Sequence, residues 1–272
     1  GDWDLSYSQN ARGYLNIRRQ SGDITLPYRD QMLGLSALSL NTRLQNGRIE
    51  AELHGATRFG TVDGTVAVSQ QFGSDISQAP LNGRIRIGIN ELESFRNFLP
   101  VGQTIRGRLN AEAIIGGRVG QPQLNGTLNG ENLYYRGQDT GVILDNGSLR
   151  SRLQGQSWLI DALTFQRGNG NVTLKGDISL KGSTPDVNVN AVFNRYRVLD
   201  KPNRRLTISG NAALLYNTTE GVTLNGTVKA DEGRFGFQKS AMPTLGDDVV
   251  VLGEAPKEKQ QATPIRMDLA LD

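Results

Sequence analysis

The sequence predicts an all-β protein, built as a long meandering antiparallel sheet with one dry face and one wet face. Three observations carry this. A five-residue word, apolar–polar–Gly–polar–apolar, recurs at Val62–Val66, Leu81–Ile85, Ile105–Leu109, Leu124–Leu128, Leu174–Ile178, Ile208–Ala212 and Leu224–Val228. Between these words the residues alternate with period two, as in Leu81, Gly83, Ile85, Ile87 and Ile89 against Asn82, Arg84, Arg86, Gly88 and Asn90. Such alternation places successive side chains on opposite faces of a strand. Turn signals then fall about every ten residues, the spacing of a meander.

Taken in order, the segment from Leu33 to Leu44 changes parity between Leu35 and Leu38, which predicts a β-bulge or a bend. Asn46-Gly47, Gly116-Gly117, Asn146-Gly147, Gly168-Asn169-Gly170 and Gly182-Ser183-Thr184-Pro185 read as turns. Glu91 to Leu99 breaks the alternation: Leu92, Phe95 and Phe98-Leu99 stand at helical spacing before Pro100, which predicts a short helix near 91–99. The repetitive sheet is expected over 1–238. A loop-rich segment with one short strand, Val249 to Leu252, follows over 239–264, and a further strand starts in 265–272. The chain opens at Gly1 without a leader and stops within an alternating pattern, so it reads as a piece of a longer protein.

The word glycines at 64, 83, 107, 126, 147 and 176 are 19, 24, 19, 21 and 29 residues apart. This elastic repeat excludes the strict rungs of a β-helix. Each glycine stands on the apolar parity at mid-strand, where it weakens the strand. Either another backbone comes close there or the sheet bends sharply. A sheet creased along such a line becomes a trough with its apolar face inside, although an ordinary filled sandwich core uses the same aliphatic residues.

Composition removes several functions. A charge of +3, from 30 basic and 27 acidic residues, with no basic run, gives no footprint for nucleic acid. The mean hydropathy of −0.41 is that of a water-soluble chain, and no apolar run reaches the roughly 18 residues of a membrane helix. The absence of cysteine removes disulfides and thiolate chemistry. One histidine, His54, is expected to face solvent at a strand end. Asp247-Asp248 and Asp231-Glu232 read as solvated acids beside turns. Gly116-Gly117-Arg118-Val119-Gly120 lacks the Lys-Ser/Thr of a phosphate loop. Tyr134-Tyr135-Arg136 and Tyr196-Arg197 read as strand-end aromatics with a solvated Arg. No catalytic residue, metal site or cofactor is expected, and the chain reads as a non-enzyme.

The segment Gly117-Arg118-Val119-Gly120-Gln121-Pro122-Gln123-Leu124-Asn125-Gly126-Thr127-Leu128 resembles the Gly-x-x-x-x-Pro-x-Leu-x-Gly-x-Leu signature of the TamB family. Leu224 to Phe235 resembles its paired strands, and Pro243, Leu245 and Asp247-Asp248-Val249-Val250-Val251 are similar to the segment before its C-terminal region. The family is related to the AsmA-like proteins. The resemblance implies a continuous sheet curled into a taco-like trough with an aliphatic interior. It implies the periplasm of a Gram-negative cell and an inner-membrane anchor outside this segment. It also implies an outer-membrane partner, a β-barrel of the Omp85 type, met through other parts of the full protein. Two roles follow: phospholipid transport between the membranes, and assembly of outer-membrane proteins such as autotransporters. Roughly 18 strands about 4.8 Å apart would span on the order of 85 Å.

The expected occupants of the trough are phospholipid acyl chains, lined by Leu81, Ile85, Ile87, Leu109, Leu124, Leu128, Leu174, Ile178, Ile208, Leu224 and Val228. Two alternatives are a chaperone-like module that holds unfolded outer-membrane strands and a passive β-array with a filled core.

Overall fold

The computed structural model describes residues 1–7, 11–26, 31–69, 74–179, 184–236 and 265–271. Seventeen strands follow in chain order. They are β1 (Asp2–Tyr7), β2 (Ala11–Arg18), β3 (Thr25–Leu26), β4 (Gln31–Met32), β5 (Ala37–Gln45), β6 (Arg48–Thr57), β7 (Gly60–Ser69), β8 (Leu81–Ile89) and β9 (Gln103–Arg118). Then come β10 (Gln121–Gly137), β11 (Ile143–Gly155), β12 (Ser157–Arg167), β13 (Gly170–Ser179), β14 (Asp186–Lys201), β15 (Arg204–Asn217), β16 (Gly221–Phe235) and β17 (Ile265–Leu271). Fifteen of them form one sheet in sequence order; β3 and β4 form a separate two-stranded piece. The first and last strands of the sheet do not pair, so it is an open, curled trough and not a barrel. Fourteen intervals of about 4.8 Å give it an extent of about 67 Å, shorter than the 18-strand expectation. The expected strand at Val249 to Leu252 and the loop-rich 239–264 lie outside the described residues.

Register explains why one face stays dry. Across an antiparallel pair, directly opposed residues share a face. One such row runs Leu53, Gly64, Ile85, Ala113, Gly126, Leu153, Trp158, Ile178, Val187, Tyr216 and Val222, from β6 to β16. The next runs Val62, Ile87, Ala111, Leu128, Ser151, Ile160, Gly176, Val189, Leu214 and Leu224. Its one polar member, Ser151, donates its hydroxyl to the Leu128 carbonyl at 2.5 Å. The opposite face carries Ser39, His54, Asp63, Arg86, Glu112, Thr127 and Arg152 in one row.

The glycines answer the question their spacing raised. A Cβ on Gly126 would meet the Glu112 carbonyl and Ala113 Cα of the adjacent strand; on Gly176 it would meet the Asn188 carbonyl. The neighbouring backbone therefore comes close at these points. Gly83, Gly126, Gly176 and Gly226 fall in four successive rows on β8, β10, β13 and β16, so the line of close approach runs obliquely across the trough.

Several expectations change. The parity break near Leu35 is not a bulge within a strand, because β5 begins only at Ala37. Asn46-Gly47 is the expected two-residue hairpin turn, with φ of 51° and 75°, the pair of positive values a type I′ turn demands. Asn146-Gly147 is not a turn: it lies inside β11, with Asn146 at φ 48°, next to a register shift. The hairpin near Gly116-Gly117 turns three residues later, at Val119-Gly120. The segment Leu92–Phe98 is a 3-10 helix, and a second one spans Ile76–Gln78. β17 joins β16 in parallel, unlike the rest. Parallel neighbours need a connection of a dozen or more residues, and 29 separate Phe235 from Ile265.

Gly126→Ala should destabilise the sheet by about 1–3 kcal/mol through this overpacking. Gly116→Ala, where the new Cβ meets nothing within 4 Å, should be neutral to slightly stabilising. Denaturant midpoints of the two variants check the contrast; equal shifts would contradict the close approach at Gly126.

Candidate functional site

The dry face is the candidate site. All eleven residues expected to line a trough lie on it: Ile85 and Ile178 fall in the first row above, and Ile87, Leu128 and Leu224 in the second. Leu109 and Leu174 share a third row, and Leu81, Leu124, Ile208 and Val228 extend the face along their strands. Only Ile208 and Val228 among them are buried; Ile87 is 39% exposed and the rest are half-buried. No second sheet covers this face, since β3–β4 is the only other sheet among the described strands.

Filling is uneven along the trough. Toward the N-terminal strands the face is bare: Trp3 is 74% exposed, Leu5 63% and Ile17 40%. In the middle, Phe165, Val172 and Tyr196 form a buried core with Leu133, Leu144, Leu163, Leu174, Ala191, Phe193 and Val198 packed around it. Sequence reasoning missed this core and took Tyr196 for a strand-end aromatic; it is completely buried. The reason lies in the turns. The β12–β13 hairpin stops short at Gly168-Asn169, and β11 and β14 meet across it through a bridge between Val142 and Leu199. Asp200 N donates to the Gly141 carbonyl at 3.3 Å and Lys201 Nζ to the Asp139 carbonyl at 2.6 Å. Tyr196 donates its hydroxyl to the Ile143 carbonyl at 3.2 Å and accepts from Asp145 N at 3.3 Å. Arg167 and Asp200, both about four-fifths buried, pair at 2.6 Å. No local sequence pattern marks this core; in the structure its hinge is Arg195, a non-glycine residue at φ 44° in the bulge just before Tyr196.

The same rim is capped a second time. Phe95 and Phe98 of the Leu92–Phe98 helix pack on Phe59 of the β6–β7 turn, with ring centroids 4.9 and 5.6 Å away. Asn97 and Arg58 both donate to Gln31 Oε1, at 2.7 and 2.9 Å. Asp23 ties the β3–β4 piece down by accepting from Gly34 N and Leu35 N, and these bonds, Leu35 first, hold its carboxyl below the ordinary value.

The wet face is built from opposed charges. Arg86 pairs with Glu112 at 2.9 Å, Arg108 with Glu131 at 3.2 Å, and Arg152 forks onto both oxygens of Asp161. His54 lies within β6, not at its end, and its Nδ1 hydrogen-bonds Asp63. Ser39, His54 and Asp63 stand in register on three strands, yet the imidazole bonds only the aspartate among them. Tyr134, expected to have a solvated Arg beside it, carries the Arg106 guanidinium 5.1 Å from its ring centroid. Among the described residues no three His, Cys, Asp or Glu converge as metal ligands, and no helix is long and apolar enough to cross a membrane.

Burial raises the Tyr196 phenol above its ordinary 10.0. An acid raised in the folded state contributes stability that is complete below the unfolded value and is lost as pH rises through the folded one. Alkaline unfolding of the protein should therefore begin above pH 10.0, and Tyr196→Phe should remove that step while costing about 1 kcal/mol at neutral pH for the lost hydroxyl bonds. An unchanged alkaline profile in the variant would contradict this.

Comparison with known proteins places this architecture. A model described as the TamB N-terminal domain matches residues 1–130, and one described as the TamB C-terminal domain matches residues 161–271. A curated relative, the translocation and assembly module subunit TamB of Haemophilus influenzae, is 24% identical over 244 residues, 84% of this chain. The chain spans 18% of that relative's length. No solved structure matches the chain. With an open, single-layer sheet whose apolar register persists from β6 to β16, and with two domain models of one family matching its two parts, the chain belongs to the TamB family.

Proposed function

We propose that this segment shields phospholipid acyl chains in its apolar trough and so carries them between the inner and outer membranes. The observation that supports this most is the unbroken apolar register on an uncovered face. Water excludes such a face, and monomers rarely leave more than a few hundred Å² of it bare. Acyl chains fit it because most of its large residues are aliphatic and half-buried, with Trp158 and Tyr216 as the aromatic members of the first row. Under this reading the eleven lining residues touch acyl chains and none is catalytic. The segment works in the periplasm, as part of a protein held in the inner membrane. Other parts of that protein meet an outer-membrane barrel of the Omp85 type. Assembly of outer-membrane proteins then depends on this lipid supply. The printed name of the H. influenzae relative, a translocation and assembly module subunit, agrees with such an envelope role.

Mass spectrometry of lipids retained after detergent-free purification tests it. Phospholipid should co-purify at a reproducible ratio, and Ile178→Asp or Leu128→Asp should lower it on the order of tenfold, since a buried carboxylate repels acyl chains, while circular dichroism keeps its β-signal. Lipid-free protein that captures amphipathic strand peptides would transfer the function to strand holding. Protein that binds neither would contradict both.

A further inference from the structure

Among the described residues two buried side-chain nitrogens have no hydrogen-bond partner, Nη1 of Arg167 and Nε1 of Trp158. The first belongs to a guanidinium whose other nitrogen already pairs with Asp200 at 2.6 Å. The second belongs to an indole with no other polar atom. An indole N–H is a donor only, and a buried Trp ordinarily finds it an acceptor. Left unpaired away from water, such a donor carries its full desolvation penalty. The Ser151 and Tyr196 hydroxyls on the same face are bonded within the fold, to the Leu128 and Ile143 carbonyls. The Trp158 N–H is not, so its acceptor has to come from outside the fold.

Register shows where that acceptor lies. Trp158 faces Leu153 and Ile178, so it stands on the dry face. It is one pair from the β11–β12 turn, where Gln154 faces Ser157, at the rim opposite the Tyr196 core. Tyr216 continues the same row through Ile178 and Val187, one pair from the end of the β15–β16 ladder, where Asn217 faces Gly221. Three strand intervals, about 14 Å, separate the two rings along this lip. Both are half-buried, and the Tyr216 hydroxyl also has no hydrogen-bond partner among the described residues. Inward from the lip the face turns aliphatic, with Ile160 and then Leu163 against Leu174, and it ends at Phe165 and Val172 of the buried core. From Ile178 to Val172 is six residue steps of β13, about 20 Å, against about 15 Å for the hydrocarbon of one membrane leaflet. Aromatic rings with one polar atom at the edge of an apolar slab are the arrangement membrane proteins keep at the headgroup boundary.

We propose that Trp158 Nε1–H donates to an ester carbonyl of a phospholipid whose chains run from this lip toward the Tyr196 core, with the headgroup outside, over the β11–β12 and β15–β16 turns. The assignment rests on the acyl-chain reading above and adds which way the lipid lies. A diacyl lipid is apolar along its tails and carries its carbonyl acceptors only where tails meet headgroup, which matches a free donor at the lip. A bound β-strand would present carbonyls along its whole length, and the aliphatic rows inside the lip offer it no donor. The Trp158 ring is half-buried on a face that no second sheet covers, so a carbonyl lying in the trough reaches it by a side-chain adjustment.

The test offers the full chain two phosphatidylcholines of equal chain length from vesicles, one ester-linked and one ether-linked, since the ether lacks the carbonyls. The protein should bind the ester lipid about five- to tenfold more tightly, the scale of one hydrogen bond to an otherwise unpaired donor. Trp158→Phe should abolish this preference and leave ether-lipid binding unchanged. In the Trp3→Phe protein, which keeps Trp158 as its one tryptophan, emission should move to longer wavelength on loading with the ester lipid and not with the ether lipid. That readout does not require the Trp158 variant to fold. Equal binding of the two lipids by the wild-type protein, or a preference that survives in Trp158→Phe, would overturn the Trp158 contact and leave the trough reading intact. Uptake of neither lipid, whether or not an amphipathic strand peptide moves the emission instead, would overturn the trough reading and this contact with it.

Discussion

A one-residue slip anywhere in the β6–β16 ladder would turn every following side chain to the other face, because side chains in a strand repeat with period two. The protein keeps eleven strands in one parity despite eight register shifts spread over six of its strand pairings. The bulges absorb the odd residues. Between Phe193 and Tyr196, and again between Ile160 and Leu163, the ladder resumes with an apolar residue facing an apolar residue. Everything else depends on this. The dry face is continuous only because the parity is, and the opposed charges of the wet face hold the same register from the other side.

Continuity of the face does not mean uniformity of the trough. The glycine line lets β8, β10, β13 and β16 each come close to a neighbour at one point, and that point moves one row at a time across the sheet. One rim carries the packed additions: the β3–β4 piece, the Leu92–Phe98 helix on Phe59, and the meeting of β11 with β14 above Tyr196. The opposite rim carries short turns such as Asn46-Gly47 and Val119-Gly120. The Ile76–Gln78 helix on that side packs along the rim, with Gly120 N bonded to the Ser77 carbonyl at 2.8 Å. Stability is thus concentrated at one rim and in the middle strands, leaving the face bare toward β1 and half-covered elsewhere.

Alternation and turn residues made the sheet, its faces and most strands legible from the sequence. Leu81 to Ile89 could be assigned because each position reports its face independently, and Asn46-Gly47 because its turn type admits few other residues. The Tyr196 core was not legible. It depends on β11 and β14 meeting across a short hairpin, a contact between residues 57 apart that no local pattern encodes. Asn146-Gly147 misled for the opposite reason: the same positive φ that serves a turn also serves a bulge.

The central claim, that acyl chains lie against the inner face, can be read from the protein's own fluorescence. The sequence has two tryptophans. Trp158 sits in the first apolar row between Leu153 and Ile178, so Trp3→Phe leaves a single reporter on the dry face. Phospholipids brominated on their acyl chains should quench Trp158 in that variant, and an otherwise identical protein carrying Ile178→Asp should lose the quenching. Emission from Trp158 that bromine leaves untouched while lipid is demonstrably bound would place the lipid elsewhere and contradict the account.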